Sequence, residues 1–228
     1  MKFDKTDVWG FEHAIRGMRN PLDSWTRSDS KVVTSVNGNN SFIIGDEDMG
    51  LAQRLIRGGS EHRKFLRQII VSVDITAPFY WWKEFDTYKI GTVANSCSTM
   101  HKLASTPITK ECFEMGDFKC FEFDISVSDD GNFAVVYNSE YVWNHTIHTL
   151  EALREKYVET KDKRYWKELV RLLPESWLQK RTVTMNYENL LSICKQRSGH
   201  KLTEWHTFID WVHTLPYANE FVFLNENL

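Results

Sequence analysis

The sequence has no long apolar run and few residues that favour turns. A helix that crosses a membrane needs about 18 or more consecutive apolar residues, so no membrane span is expected. Glycine and proline are scarce, with 11 Gly and 5 Pro in 228 residues, which excludes a collagen-like or low-complexity chain. The net charge of −3 argues against a general nucleic-acid-binding protein. At roughly 150 residues per domain, the length allows one domain or two small ones.

Paired cysteine motifs are also missing. Cys97, Cys112, Cys120 and Cys194 form no C-x-x-C pair, and their spacing fits neither a zinc site nor a disulfide scaffold. The chain starts without the apolar stretch of a secretory signal. Reduced thiols and a cytoplasmic location are therefore expected.

Common catalytic fingerprints are absent as well: no G-x-S-x-G, P-loop or G-x-G-x-x-G occurs. Two clusters leave metal binding open as an alternative. One places His145, His148 and Glu151 on one helical face. The other is formed by Glu204, His206, Asp210 and His213. A solvated helix face is the favoured interpretation of each cluster, and no metal site is predicted.

The periodicity of apolar residues predicts a mixed α+β fold in which helices dominate. Residues 1–45 read as irregular apart from one short helix, and a Gly-Asn turn lies near residue 38. A strand is predicted at Phe65–Val73 and a hairpin at Phe118–Tyr137. Helices are predicted at Phe11–Arg19, after Gly45, at Ala77–Phe85, in two pieces within Trp143–Leu173, at about Asn186–Arg197 and at about Leu202–Leu215.

Three polar residues in the second half of the chain suggest a ligand site. Arg171 precedes Leu172-Leu173-Pro174, Asn186 opens a predicted helix, and Arg197 lies near its end. An Asn side chain both donates and accepts hydrogen bonds, which suits the edge of a uracil or flavin ring. Arg offers a two-pronged donor for phosphate. The alternative is structural, with Asn186 as a helix cap and Arg197 as a partner of the helix dipole.

The order and spacing of these residues resemble the flavin-dependent thymidylate synthase family (ThyX). Pro174 and Asn186 are twelve residues apart, and Asn186 and Arg197 are eleven apart, as in that family. Arg171 lies one place closer to Pro174 than the family arginine does. A second family Asn, six residues after the first, corresponds to Ser192.

The upstream half resembles the family in spacing but not in the signature itself. Aligning Ala77-Pro78 on the family's Ala-Pro places Glu84 at a family Gln, and Thr87-Tyr88-Lys89 at the Arg-His-Arg signature. In the same alignment, Thr92 and Cys97 correspond to two serines of the family, Thr99 corresponds to an arginine and His62 to a histidine. The resemblance covers roughly residues 45–215 and implies a single domain over residues 1–228.

The resemblance implies an α+β fold, a homotetramer with shared active sites, and reductive methylation of dUMP or a related pyrimidine nucleotide at C5. FAD is the implied cofactor, with NADPH and methylenetetrahydrofolate as co-substrates; neither a nucleic-acid polymer nor a membrane is an implied partner. The implied flavin contacts are His62, Tyr88, Lys89, Asn186 and Ser192. The implied nucleotide contacts are Glu84, Thr92, Cys97, Thr99, Arg171 and Arg197, the last also catalytic.

The departures from the signature point to an alternative. Only Lys89 remains as a cation in the four signature slots that hold arginine or histidine, and Lys does not reproduce the Arg fork. Glu84 adds a negative charge where an anionic nucleotide is expected, which is unfavourable unless Glu84 is protonated or paired. A non-catalytic flavin- or nucleotide-binding relative with altered specificity is therefore the second hypothesis.

Overall fold

The computed structural model describes residues 1–34, 37–38, 40–116 and 138–224. Their strands are β1 Lys2–Trp9, β2 Lys31–Thr34, β3 Asn40–Ile43, β4 Ile70–Pro78, β5 Val93–Ser96 and β6 Leu178–Asn186. Their helices are α1 Phe11–Arg19, α2 Asp46–Arg57, α3 Phe79–Phe85, α4 Thr99–Lys102, α5 Ser139–Thr160, α6 Lys163–Leu172, α7 Tyr187–Arg197, α8 Thr203–His213 and α9 Ala218–Phe221. The mixed α+β class is confirmed. No helix in these ranges is long and apolar enough to span a membrane.

The contacts divide the chain into two compact units. The first comprises residues 1–76, 84–95 and 181–228, and the second residues 77–83 and 96–180. The single domain predicted over residues 1–228 stays a prediction.

The first unit is built on a four-stranded sheet in the order β1-β4-β6-β5. β1 pairs antiparallel with β4, from Lys2 opposite Thr76 to Trp9 opposite Ile70. Along β4 every second residue is buried, including Val71, Val73 and Ile75. This period of two is the pattern of a strand with one face against a core.

The core of the first unit is aromatic. Trp205, Phe208 and Trp211 of α8 are buried, and Phe3 of β1 stacks on Trp211 with ring centroids 4.7 Å apart. Tyr187, at the start of α7, is fully buried and donates its hydroxyl to the Pro216 carbonyl at 2.6 Å. Burial raises the pKa of that hydroxyl.

A buried ion pair holds the N-terminal segment of the first unit. Nε of Arg19 donates to Oδ1 of Asp48, and both side chains are almost fully buried. Ser28 and Ser30 donate to the other carboxylate oxygen, each at 2.6 Å. The Asp48 carboxylate therefore connects α1, α2 and the segment between them.

The second unit contains α5 and α6 packed against each other. Its core is a cluster of apolar residues to which Leu150 of α5 and Leu169 of α6 contribute. Phe113 also belongs to this cluster and meets the Trp177 ring edge-on at 5.5 Å. Tertiary packing of this kind supplies most of the stability of helices in proteins.

Several expectations for the elements are confirmed. Helix α1 has the predicted bounds, α2 follows Gly45, and α5 and α6 are separated near residues 161–162. Helices α7 and α8 match their predictions within two residues at each end. The predicted hairpin at 118–137 lies outside the described residues.

Three expectations are wrong. Residues 1–45 are not irregular, since β1, β2 and β3 lie there. The strand predicted at Phe65–Val73 begins only at Ile70, because Lys64–Gln68 forms a 3₁₀ turn that buries Phe65 and Leu66. The helix predicted from Ala77 begins at Phe79, since Ala77 and Pro78 complete β4.

Candidate functional site

A pocket of about 450 Å³ opens in the first unit beside the start of α7. We refer to it as the Asn186 pocket. Four of the five residues that the sequence predicts as flavin contacts line it: Tyr88, Lys89, Asn186 and Ser192. Its other lining residues are Arg67, Thr87, Ile90, Gly91, Glu188 and Asn189.

Two asparagines at the start of α7 are fixed by a capping box. Oδ1 of Asn186 accepts a hydrogen bond from the backbone N–H of Asn189 at 3.0 Å, and Oδ1 of Asn189 accepts from the backbone N–H of Asn186 at 3.1 Å. The structural interpretation of Asn186 as a helix cap is confirmed. The cap uses only the oxygen of its amide, and within the described residues Nδ2 of Asn186 has no acceptor, so it remains available to a ligand.

Gly91 brings the backbone close to these amides. Its φ is +77°, a conformation that suits glycine. A Cβ added there would lie 3.0 Å from Oδ1 of Asn189 and 3.1 Å from Nδ2 of Asn186. The side chain of Asn189 also donates to the Ile90 carbonyl at 2.7 Å. The loop at residues 90–91 thus rests directly on the amides, and a larger residue at Gly91 would displace them.

The charged groups of the pocket are two cations and one neutralised anion. Nε of Arg63 lies 3.0–3.1 Å from both carboxylate oxygens of Glu188, and both side chains are largely buried. The side chains of Arg67 and Lys89 have no hydrogen bond or ion pair within the described ranges. The lining therefore favours an anionic ligand.

Glu84 and Arg197 form an ion pair in the first unit. Nη1 of Arg197 donates to Oε2 of Glu84 at 3.0 Å, and that same oxygen accepts from Nε1 of Trp205 at 2.7 Å. Nε2 of His200 lies 3.3 Å from it. The expectation that Glu84 needs a partner is met by Arg197 and not by Lys83, which pairs with Glu175 in the second unit.

Arg197 is also held by aromatic rings. Its Nε donates to the Tyr88 hydroxyl at 2.8 Å. Its guanidinium carbon lies 4.7 Å from the centre of the Trp205 ring and 5.5 Å from that of Tyr88. Cation–π contacts at such distances stabilise a partly buried guanidinium. In this arrangement Arg197 is committed to protein groups on several sides.

Two further predicted site residues, Thr92 and His62, are not among the residues that line the Asn186 pocket. Thr92 lines an adjoining depression of about 300 Å³ together with Tyr88 and Lys89, and its hydroxyl donates to the Tyr88 carbonyl. His62 lines a different pocket, of about 480 Å³, with Met18 and Leu55 among others. His62 is not among the residues of the Asn186 pocket, and its contact with flavin stays a prediction.

Three predicted nucleotide contacts belong to the second unit. The Cys97 carbonyl accepts from Nε2 of Gln179 at 2.9 Å, and Oγ1 of Thr99 lies 3.3 Å from the same nitrogen. Arg171 is exposed and pairs with Glu168 one turn earlier on α6. Their roles in nucleotide binding stay predictions. Cys97, Cys112 and Cys194 are free thiols, and Cys120 lies outside the described residues.

The metal alternatives receive no support. No group of three or more His, Cys, Asp or Glu side chains in the described ranges is arranged to hold a metal. Glu151 instead accepts from Nη2 of Arg154 at 2.6 Å and from the Ile108 N–H at 2.7 Å. The hydrogen bond from Arg154 lowers the pKa of the Glu151 carboxyl.

The second acidic–histidine cluster is also explained by local contacts. Glu204 is buried, so the expectation of a fully solvated face is wrong at this position. His206 contacts the His200 carbonyl at 2.9 Å, and His213 contacts the Asn219 side chain at 2.7 Å.

Six lining residues were not predicted as site residues: Arg67, Thr87, Ile90, Gly91, Glu188 and Asn189. Asn189 could have been found, because Asn186-x-x-Asn189 at a helix start resembles a capping box. Arg67 gives no such signal, since it lies 119 residues before Asn186 and its turn was predicted as a strand.

The sheet and the helices define an α+β protein with a polar, cationic pocket at the start of α7. No protein-family model and no curated protein matches the sequence. Among solved structures, the flavin-dependent thymidylate synthase ThyX from Helicobacter pylori, complexed with FAD and dUMP, has a TM-score of 0.64 at 19% identity, over 98% of each chain. A second ThyX structure from that organism, also with FAD and dUMP, gives 0.62 at 19%, over 95% of this chain and 94% of that one. The chain has the ThyX fold.

Proposed function

We propose that this protein binds FAD and a pyrimidine nucleotide and methylates the nucleotide at C5, with dUMP as the first substrate to test. The observation that carries the proposal is the convergence of Tyr88, Lys89, Asn186 and Ser192 on one pocket. These residues were selected by their positions in the resemblance, and Lys89 and Asn186 are 97 residues apart in the sequence. The proteins that share the fold were crystallised with FAD and dUMP.

The lining of the Asn186 pocket fits the chemistry of a flavin. Nδ2 of Asn186 is a free donor for a ring edge, and the Tyr88 side chain offers a face on which a flat ring can stack. The cations Arg67 and Lys89 suit the diphosphate. A volume of about 450 Å³ lies within the usual range of about 300–1,000 Å³ for ligand sites.

In this proposal a bound flavin supplies the redox chemistry, with NADPH as reductant and methylenetetrahydrofolate as the one-carbon donor. The protein contributes binding and orientation. Asn186 hydrogen-bonds the ring edge, Tyr88 stacks on the ring, and Arg197 orients the pyrimidine. For Arg197 to do so, its bond to Glu84 must open or be shared with the nucleotide.

The Glu84–Arg197 ion pair favours a second candidate function. A guanidinium that is paired, hydrogen-bonded to Tyr88 and covered by Trp205 is stable without any nucleotide. A non-catalytic flavin- or nucleotide-binding protein would be compatible with this state. The two candidates differ in whether dUMP is converted.

Growth of a thymidine-requiring bacterial host without thymidine tests the first function. We expect the wild-type chain to support growth and Asn186→Ser to fail, with Arg57→Gln, an exposed position outside the pocket, as the matched control. In vitro, the protein incubated with dUMP, FAD, NADPH and methylenetetrahydrofolate should produce dTMP, which chromatography detects. Retained flavin without product, for dUMP and other pyrimidine nucleotides, would favour the non-catalytic candidate.

The homotetramer implied by the resemblance is part of the same proposal. Gel filtration with light scattering should give a mass near four times the 26.9 kDa chain. A species of one chain only would exclude active sites shared between subunits.

A further inference from the structure

Among the cations near the Asn186 pocket, most are committed to carboxylates. Arg63 binds Glu188, Arg197 binds Glu84, and Arg181 binds Asp86 at 2.7 Å. Each of these guanidiniums would have to give up a partner before it could bind a ligand phosphate. The cost is substantial, because hydrogen bonds to charged groups are the stronger ones in proteins.

Arg67 and Lys89 differ from these residues. Both are exposed, both line the Asn186 pocket, and neither side chain has a polar partner within the described ranges. Glu188, the one acidic residue of the lining, is neutralised by Arg63. The pocket therefore carries two positive charges that no group among the described residues compensates.

The position of Arg67 is fixed by the fold although its side chain is exposed. It belongs to the 3₁₀ turn Lys64–Gln68, whose neighbouring residues Phe65 and Leu66 are buried at 4% and 0% exposure. The turn packs against α7, and the Tyr187 N–H donates to the Ile69 carbonyl at 3.1 Å just beyond it. The guanidinium thus extends from a rigid base beside the capping box of Asn186.

We propose that Arg67 is the phosphate-binding arginine of this pocket, assisted by Lys89. This inference rests on the proposed function and deepens it, since it names the residue that recognises the ligand's phosphate after the signature arginines have been replaced. The planar guanidinium binds two phosphate oxygens at once, and Lys89 adds a point charge. The ligand class is a phosphorylated flat heterocycle, whose phosphate comes either from the flavin or from the pyrimidine nucleotide.

The test compares ligands that carry phosphate with counterparts that do not; dUMP and deoxyuridine differ in the phosphate alone, whereas FAD differs from riboflavin in its diphosphate and adenosine. Binding of FAD and riboflavin is measured by quenching of flavin fluorescence, and binding of dUMP and deoxyuridine by calorimetry. For Arg67→Gln, loss of charged hydrogen bonds should weaken the phosphorylated ligand by about tenfold or more, while its unphosphorylated counterpart binds as in the wild type. Arg67→Lys should restore part of the loss, and high salt should reduce the difference.

The control is Arg57→Gln, which removes an exposed arginine of α2 that does not line the pocket. Circular dichroism and the unfolding midpoint check that each variant folds. A loss confined to FAD identifies the diphosphate of the flavin as the group that Arg67 binds. A loss confined to dUMP identifies the nucleotide phosphate, and both results support the proposal.

Inorganic pyrophosphate, added as a competitor and as a ligand alone, separates the inference from the proposed function. If the protein binds pyrophosphate through Arg67 but binds no flavin, the result supports the phosphate site and rejects the flavin function. Flavin and nucleotide binding that is equal in wild type and Arg67→Gln would overturn the inference and leave the function standing. Absence of binding by every phosphate compound would overturn the inference as well.

Discussion

Glu84 accepts hydrogen bonds from Arg197 at 3.0 Å and from Trp205 at 2.7 Å through the same carboxylate oxygen. This arrangement neutralises a carboxylate at a position where the resemblance implies a neutral glutamine. It also occupies the arginine that the resemblance implies as catalytic. Nucleotide binding and the Glu84–Arg197 pair are therefore expected to compete.

Glu84→Gln should strengthen dUMP binding by about tenfold, because it removes a negative charge and releases Arg197. The stability cost should be about 1 kcal/mol or less, since the pair is partly exposed. Calorimetric titration with dUMP measures the affinity. Glu175→Gln, which disrupts the exposed pair with Lys83, is the matched control. Unchanged or weaker dUMP binding in Glu84→Gln would show that the carboxylate does not oppose the nucleotide.

Asn186 has two roles that can be separated. Asn186→Ser keeps a good helix cap but loses the amide nitrogen, so stability should change little while flavin affinity falls about tenfold. Asn186→Ala loses both the capping oxygen and the amide nitrogen, so it should also lower the free energy of unfolding by about 1 kcal/mol. Urea unfolding and flavin titration on the same samples measure the two effects. Equal flavin affinity in the serine variant and wild type would leave Asn186 as a cap only.

Gly91→Ala should disturb the pocket more than an alanine at a comparable glycine does. Gly91 and Gly38 have φ of +77° and +79°, so alanine is strained at both. Only at Gly91 would the new Cβ meet neighbours, the amides of Asn186 and Asn189, at 3.0–3.2 Å. Flavin titration should therefore show weaker binding in Gly91→Ala than in Gly38→Ala. Similar binding in the two variants would mean that the loop at residue 91 does not shape the site.

Asp48 should make stability depend on pH in the acid range. Burial alone would raise the pKa of Asp48, but hydrogen bonds from Ser28, Ser30 and Arg19 outweigh it and lower the pKa below its ordinary value. The unfolded chain then takes up a proton at higher pH than the folded one. This contribution to stability is complete above the unfolded pKa of about 3.9 and is lost as pH falls through the folded value.

At pH 7, Asp48→Asn should cost about 3–5 kcal/mol, because Arg19 is left buried without its partner. The difference in the free energy of unfolding between Asp48→Asn and wild type should become smaller below pH 4. Urea unfolding across pH measures it, with exposed Asp23→Asn as control and Ser30→Ala as a milder variant if Asp48→Asn does not fold. A difference that stays constant down to the acid limit would contradict the assigned pKa direction.

The helices of this fold are readable from the sequence because their apolar faces repeat along the chain. In α8, for example, Trp205, Phe208 and Val212 recur at helical spacing, and all three are fully buried. The start of α7 was equally clear, because Asn186 is a good N-cap. Local propensity and periodicity are enough for such elements.

The strands at the N-terminus were missed for a physical reason. Of the eight residues in β1, only Phe3 and Val8 are half-buried and the rest are exposed, so no alternation marks the strand. Its existence depends on pairing with β4, which lies more than sixty residues later. In β6 a signal did exist, since Val183 and Met185 are buried and their neighbours are less so.

The site also contains residues that the sequence could predict and residues that only the folded chain reveals. The spacing of the resemblance selected Asn186, Ser192, Tyr88 and Lys89, and all four line the Asn186 pocket. It did not identify Arg67 or the partner of Glu84. Glu84 and Arg197 are 113 residues apart, and only the folded chain brings them together.

The most direct test of a flavin-binding pocket is a visible absorption spectrum of the purified protein after incubation with FAD and gel filtration. We expect flavin bands that travel with the protein, at about one flavin per chain or fewer, and weaker bands in Asn186→Ser. A colourless protein after the column, at flavin concentrations well above micromolar, would contradict the flavin function and leave only the fold.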